Sequence, residues 1–119
     1  MSRVLALVPD LLFGSKVLAM LEQAGHDVEM AQSETDVWDQ IAGSDVLVVD
    51  LTTDDVDGAQ LLDTLRTGGE AGRVKALAFY SHVDVDTRRR AEEAGFDLVV
   101  PRSRMAREGA ELVARLSNQ

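Results

Sequence analysis

Cysteine is absent from the 119 residues, which removes disulfide staples, thiolate metal sites and thiol catalysis together. Aromatic side chains make up only 4% of the chain, leaving no stacking platform for nucleic-acid bases. Basic residues are few as well, 12 against 21 acidic ones for a formal net charge of −9, so repulsion from phosphate disfavours wrapping around a nucleic acid. Long apolar runs are missing. The opening run Val4 to Val8 ends at Pro9-Asp10, too short for the apolar core of a secretion signal, and no other run approaches the ~20 residues of a membrane span. These absences predict a soluble, cytoplasmic protein with neither membrane nor nucleic acid as partner.

What is present fits one globular domain over residues 1–119, with 45% apolar and 28% charged residues. A chain of this length buries roughly two-thirds of its unfolded surface, enough for a core without metal or disulfide. Charge is divided unevenly. Residues 1–71 hold three basic and 14 acidic side chains, and residues 72–119 hold nine and seven. A fold that exposes the halves separately has two electrostatic faces, which suits docking to a protein.

Short β-rich apolar runs alternate with helical spacing along the whole chain. Val4 to Val8 reads as a central strand, apolar on both faces. Phe13, Val17, Met20, Leu21 and Ala24 then form one helical stripe, opened by Asp10 and stopped by Gly25. Asp27 to Ala31 alternates polar and apolar, the pattern of a strand near an edge. Ser33 and Asp36 resemble a capping box opening a second helix with Val37, Trp38 and Ile41 inward, closed by Gly43. Asp45 to Asp50 is the strongest strand, buried on both faces with its carboxylate ends expected in water. An acidic loop, Leu51 to Gly58, leads to a third helix on Leu61, Leu62 and Leu65, ended near Gly68-Gly69. Lys75 to Tyr80, Asp86 to Ala94, Asp97 to Val100 and Ser103 to Leu116 complete five strands and five helices. Right-handed crossovers turn this alternation into one doubly wound α/β/α parallel sheet.

In such sheets, ligands sit beyond the carboxyl ends of the strands. That selects Val8, Pro9 and Asp10, then Asp50 to Asp55, then Ser81 and His82, then Arg102. Asp50 leads, because a carboxylate closing a four-residue apolar strand is partly desolvated and placed to accept a transferred group or a cation. The glycines at 68, 69 and 72 lack the strand-turn-helix setting of a phosphate loop. No Ser-His-Asp order has supporting context, so an enzyme is not expected.

The stretch Asp45-Val46-Leu47-Val48-Val49-Asp50, followed by Asp57-Gly58-Ala59-Gln60-Leu61-Leu62 and Leu65-Arg66, resembles a two-component response-regulator receiver domain, the chemotaxis-receiver type of flavodoxin-like fold. Glu93-Ala94-Gly95 is similar to the family's Ala-Gly turn, and the likeness covers the entire chain. It implies strand order 2-1-3-4-5 and a phosphoacceptor role for Asp50. The family holds Mg²⁺ with that aspartate plus an acidic pair at the end of the first strand, since a hard octahedral dication needs concentrated carboxylate charge. The matching positions are Val8 and Pro9. A one-residue slip lets Asp10 supply one acid, so any metal site, Asp10 with Asp50, is expected to be weak. The phosphoryl-bonding hydroxyl falls on Tyr80 by counting or on Ser81 by a slip. The Lys-Pro pair of the family becomes Pro101-Arg102, with a broader planar cation.

The resemblance also places the partner surface on the fourth helix, fifth strand and fifth helix, where Arg88, Arg89, Arg90, Arg104 and Arg107 fall. An acidic partner protein, or the acidic half of a second copy, fits such a face. The leading expectation is therefore an atypical, phosphorylation-independent receiver-like signalling module without cofactor. One alternative is a working phosphoacceptor using Asp50 and Mg²⁺, with Ser81 and Arg102 as its phosphoryl and switch groups. The other is a ligand or metal binder at Asp50, Ser81 and His82.

Overall fold

The computed structural model describes residues 2–81 and 83–119. Ten elements alternate along the chain: β1 (Arg3–Leu7), α1 (Leu11–Gln23), β2 (Asp27–Ala31), α2 (Glu34–Gln40), β3 (Val46–Asp50), α3 (Gly58–Gly68), β4 (Lys75–Tyr80), α4 (Val85–Ala94), β5 (Leu98–Pro101) and α5 (Arg102–Ser117). The strands form a single parallel sheet ordered β2-β1-β3-β4-β5. This is the doubly wound architecture that the alternation of runs predicts.

Strand pleating divides the interior into two cores. Leu5, Leu7, Leu47, Val49, Ala76 and Ala78 face one way, against Val37, Ile41, Leu61, Leu62 and Leu65 of the α2–α3 region and Ala91 of α4. Val4, Ala6, Val46, Val48, Leu77 and Phe79 face the other, against Phe13, Val17 and Leu21 of α1 and Met105, Leu112, Val113 and Leu116 of α5. Both faces are covered, which is why the inner strands are apolar throughout between their ends. β2 alternates because it is an edge.

Several local details differ from the sequence reading, each for a physical reason. β1 starts at Arg3, whose N–H donates to Asp45 Oδ2 at 2.8 Å, and β5 begins one residue late. Asp97 is instead taken up by Ala76 N–H at 2.7 Å and by Arg66, while Pro101 ends the edge strand opposite Tyr80, where its missing N–H is tolerated. The α2 cap is a variant box: Ser33 Oγ accepts from Asp36 N–H, but the Asp36 carboxylate reaches Gln32 N–H, one residue earlier than Ser33. Trp38 does not face inward. Val37 and Ile41 fill the core, and Trp38, a third of a turn from Val37, is 37% exposed. His26, after α1, is half-buried.

Helix α1 lies close to the end of β1. A Cβ added at Gly14 would stand 2.9 Å from the Val8 carbonyl oxygen, so glycine permits the contact that sets α1 beside the site.

Candidate functional site

Asp50 closes β3 between β1 and β4 and is 2% exposed. The expectation that this strand end reaches water is corrected here: the carboxylate is buried. Its Oδ1 accepts from Thr52 N–H at 2.7 Å and from the Thr52 hydroxyl at 2.6 Å. These two bonds tie the strand end to the loop two residues on. None of the ion pairs among the described residues includes Asp50.

Asp10 is committed elsewhere. Its Oδ1 accepts from Leu12 N–H at 2.9 Å and Phe13 N–H at 3.0 Å, capping α1, so the carboxylate satisfies amides that the helix leaves open and meets the positive end of its dipole. Its Oδ2 lies 3.6 Å from Arg102 Nη2. The guanidinium carbon of Arg102 in turn lies 4.2 Å from the centroid of the Phe13 ring, within cation–π range, and Phe13 meets Phe79 edge-on at 5.1 Å. The acid and the cation expected to serve Asp50 thus neutralise one another over an aromatic pair.

The residues do not fit a magnesium ion. Val8 and Pro9 supply no carboxylate, Asp10 is held by a helix end and a guanidinium, and among the described residues no three His, Asp or Glu side chains gather as a metal cluster. One exposed oxygen set is what a hydrated octahedral dication requires, and Asp50 is buried with Oδ1 doubly bonded to Thr52.

Beside Asp50 a cleft of about 260 Å³ opens between the loops after β3 and β4. Thr53, Asp54, Asp57, Ser81, Thr87 and Arg90 line it, with Thr52 on its wall; Thr52 therefore faces the cleft and also holds the buried carboxylate. Ser81 is exposed to this space, whereas Tyr80 is packed in the core. Of the two switch positions left open by sequence, only Ser81 is a cleft-lining hydroxyl. His82 lies outside the described residues.

Arg90, expected on the partner face, is exposed on α4, and its Nη2 lies 3.2 and 3.0 Å from the two oxygens of Asp57, linking α4 to the start of α3. Asp57 also caps α3 through Gln60 N–H at 3.1 Å. Its carboxyl is held below the ordinary value first by that N–H, with burial pushing the other way, and then by the Arg90 hydrogen bond and charge. Asp84 is lowered by the Thr87 hydroxyl and then the Thr87 N–H, capping α4. Sequence reasoning missed the Asp57–Arg90 pair, because its partners are 33 residues apart and no local pattern joins them.

The other arginines do lie on α4 and α5, each facing a carboxylate of the same helix: Arg88 to Glu92 at 3.6 Å, Arg89 to Asp86 at 3.4 Å, Arg104 to Glu108 at 3.5 Å and Arg107 to Glu108 at 3.7 Å. Exposed pairs of this kind contribute about 0.2–1 kcal/mol each, and they reduce the free positive charge of the face.

No family model matches the chain, and neither does any curated protein. Solved structures do. A Francisella response-regulator receiver domain aligns with TM-score 0.86 at 19% identity, covering 99% of this chain and 98% of its own. A response-regulator receiver domain protein from Clostridium thermocellum gives 0.84 at 16% identity, covering 99% and 95%. A CheY-like receiver domain protein from Methanospirillum hungatei gives 0.82 at 18% identity, covering 99% and 94%. With this strand order, and a strand-end aspartate between the first and fourth strands, the chain has the fold of the response-regulator receiver domains.

Proposed function

We propose that this domain is a signalling module that acts by binding another protein, without phosphoryl transfer at Asp50. The observation that carries this reading is the diversion of Asp10 to the α1 end and to Arg102. Phosphoryl transfer relies on positioning and on neutralising charge that develops at the transferred group. Losing one well-placed electrostatic stabiliser costs about 3 kcal/mol of transition-state binding, and here Val8 and Pro9 stand where the metal's carboxylate pair is expected while Arg102 faces Asp10. Asp54 and Asp55, both exposed after β3, add repulsion against an incoming phosphoryl group. Partner contact through the α4–β5–α5 face, on Arg88, Arg89, Arg90, Arg104 and Arg107, belongs to the same reading, in a cytoplasmic protein with no catalytic residue and no cofactor.

One observation favours phosphoacceptance instead: Ser81 lines a cleft whose wall, Thr52, bonds Asp50. Amide spectra recorded while Mg²⁺ is raised to millimolar levels separate the two. The proposal expects no saturable shift at residues 8–10, 50–55 or 102; a saturable shift there, lost in Asp50→Asn, overturns it.

A further inference from the structure

From Val17 to Leu65 the chain contains no Lys or Arg and twelve Asp or Glu. The fold gathers part of this run on one edge of the sheet, since β2 is an edge strand and α2 is the helix laid beside it. Ala31 points into the core beneath α2. Strand alternation sends Glu29 and Asp27 to the same side, and both remain exposed.

Between this strand and α2 runs a groove of about 380 Å³, lined by Asp27, Glu29, Asp39 and Gln40, with Arg3 as its one cation among the described residues. None of the three carboxylates belongs to an ion pair among those residues. Next to Asp39 stands Trp38, the only tryptophan, exposed although the core took its neighbour Val37. Glu34 lies one helical turn before it, on the same side. Exposed tryptophan is the residue most enriched among interface anchors, and its ring face attracts ammonium and guanidinium groups.

We propose that the β2–α2 groove docks a basic segment of a partner protein, an Arg or Lys side chain entering between Asp27, Glu29 and Asp39 while Trp38 stacks on a neighbouring cation. The carboxylates supply charge, and Trp38 beside the groove supplies apolar area. The occupant is another protein rather than a second copy, because a basic segment brings unpaired cations, whereas the arginines of α4 and α5 that a second copy offers share part of their charge with carboxylates of their own helices. This surface is separate from the α4–β5–α5 face and does not depend on whether Asp50 accepts a phosphoryl group.

The test uses the intact chain and an oligoarginine peptide, read by Trp38 fluorescence and by amide shifts. Neutralising the groove with Asp27→Asn, Glu29→Gln and Asp39→Asn together should weaken binding roughly tenfold, the sum of three modest charge contacts. A control triple with the same loss of charge, Asp63→Asn, Glu93→Gln and Glu111→Gln, should change it less than about twofold. Shifts should centre on residues 27–40, and Trp38→Ala should weaken binding with the fold intact by circular dichroism. Equal losses in both triples, shifts centred on residues 50–57, or no saturable binding overturn the proposal. So does self-association in sedimentation that disappears on Arg88→Glu with Arg104→Glu, which assigns the groove to a second copy.

Discussion

Arg102 reaches back from the first residue of α5 to Asp10 at the start of α1, Nη2 to Oδ2 at 3.6 Å, and so ties together the two helices on one face of the sheet. The contact engages the acid and the cation that the sequence led us to expect at the Asp50 site. Both side chains are nearly half exposed, so the pair is expected to couple by only about 0.2–1 kcal/mol in a double-mutant cycle. Asp10→Ala should cost more than Arg102→Ala, about 1–2 kcal/mol, because it also removes the α1 cap. Urea unfolding of the two single variants and the double variant measures all three quantities. Equal costs for the single variants would mean that the cap contributes nothing.

Asp50 is a buried carboxylate whose described partners are both donors on Thr52. Burying an ion without a counter-charge is costly, and Asn keeps the accepting oxygen and the volume. Asp50→Asn is therefore expected to raise the unfolding free energy by about 1 kcal/mol, and Thr52→Val to lower it by about 1 kcal/mol through the lost hydroxyl bond. Denaturant midpoints test both signs. A fall in stability for Asp50→Asn would reveal a compensating positive group.

The Asp57 carboxyl is lowered in the folded chain by Gln60 N–H and Arg90. A depressed carboxylate adds stability that is fully present above its unfolded value, about 3.9, and is lost as pH falls through the lower folded value. The loss should therefore occur in the acid range below about pH 4. Carbon-detected titration should find Asp57 below the ordinary carboxylate range, and Arg90→Ala should move it upward. An unchanged titration in that variant would leave the Gln60 N–H as the whole cause.

Two glycines in helices should respond oppositely to alanine. At Gly14 the new Cβ meets a backbone oxygen, Val8 O, at 2.9 Å, which cannot move without shifting the end of β1. At Gly109 it meets the flexible ends of Met20 and Met105, which can turn aside, so the better helix propensity of Ala, about 1 kcal/mol, is retained. Thermal unfolding should show Gly14→Ala destabilised and Gly109→Ala neutral or stabilised.

The fold was legible because parallel strands covered on both faces must be apolar throughout, as Val46 to Val49 are, and because Asp10, Ser33 and Gly95 mark helix ends by local chemistry. Three features were not legible for one common reason. The burial of Asp50, the turning out of Trp38 and the pairing of Arg90 with Asp57 depend on what other elements bring to those positions, and spacing along one element carries no record of it. The hydroxyl expected after β4 was ambiguous in sequence between Tyr80 and Ser81; in the structure Ser81 lines the cleft and Tyr80 is buried, a difference set by the register of β4.

Incubating the purified chain with acetyl phosphate and Mg²⁺ and then weighing it intact tests most directly whether Asp50 takes part in phosphoryl chemistry. With Asp10 held by Arg102 and the α1 amides, the mass should remain that of the unmodified protein at every time point. A phosphoryl adduct that accumulates with Mg²⁺ and vanishes in Asp50→Asn would contradict the account.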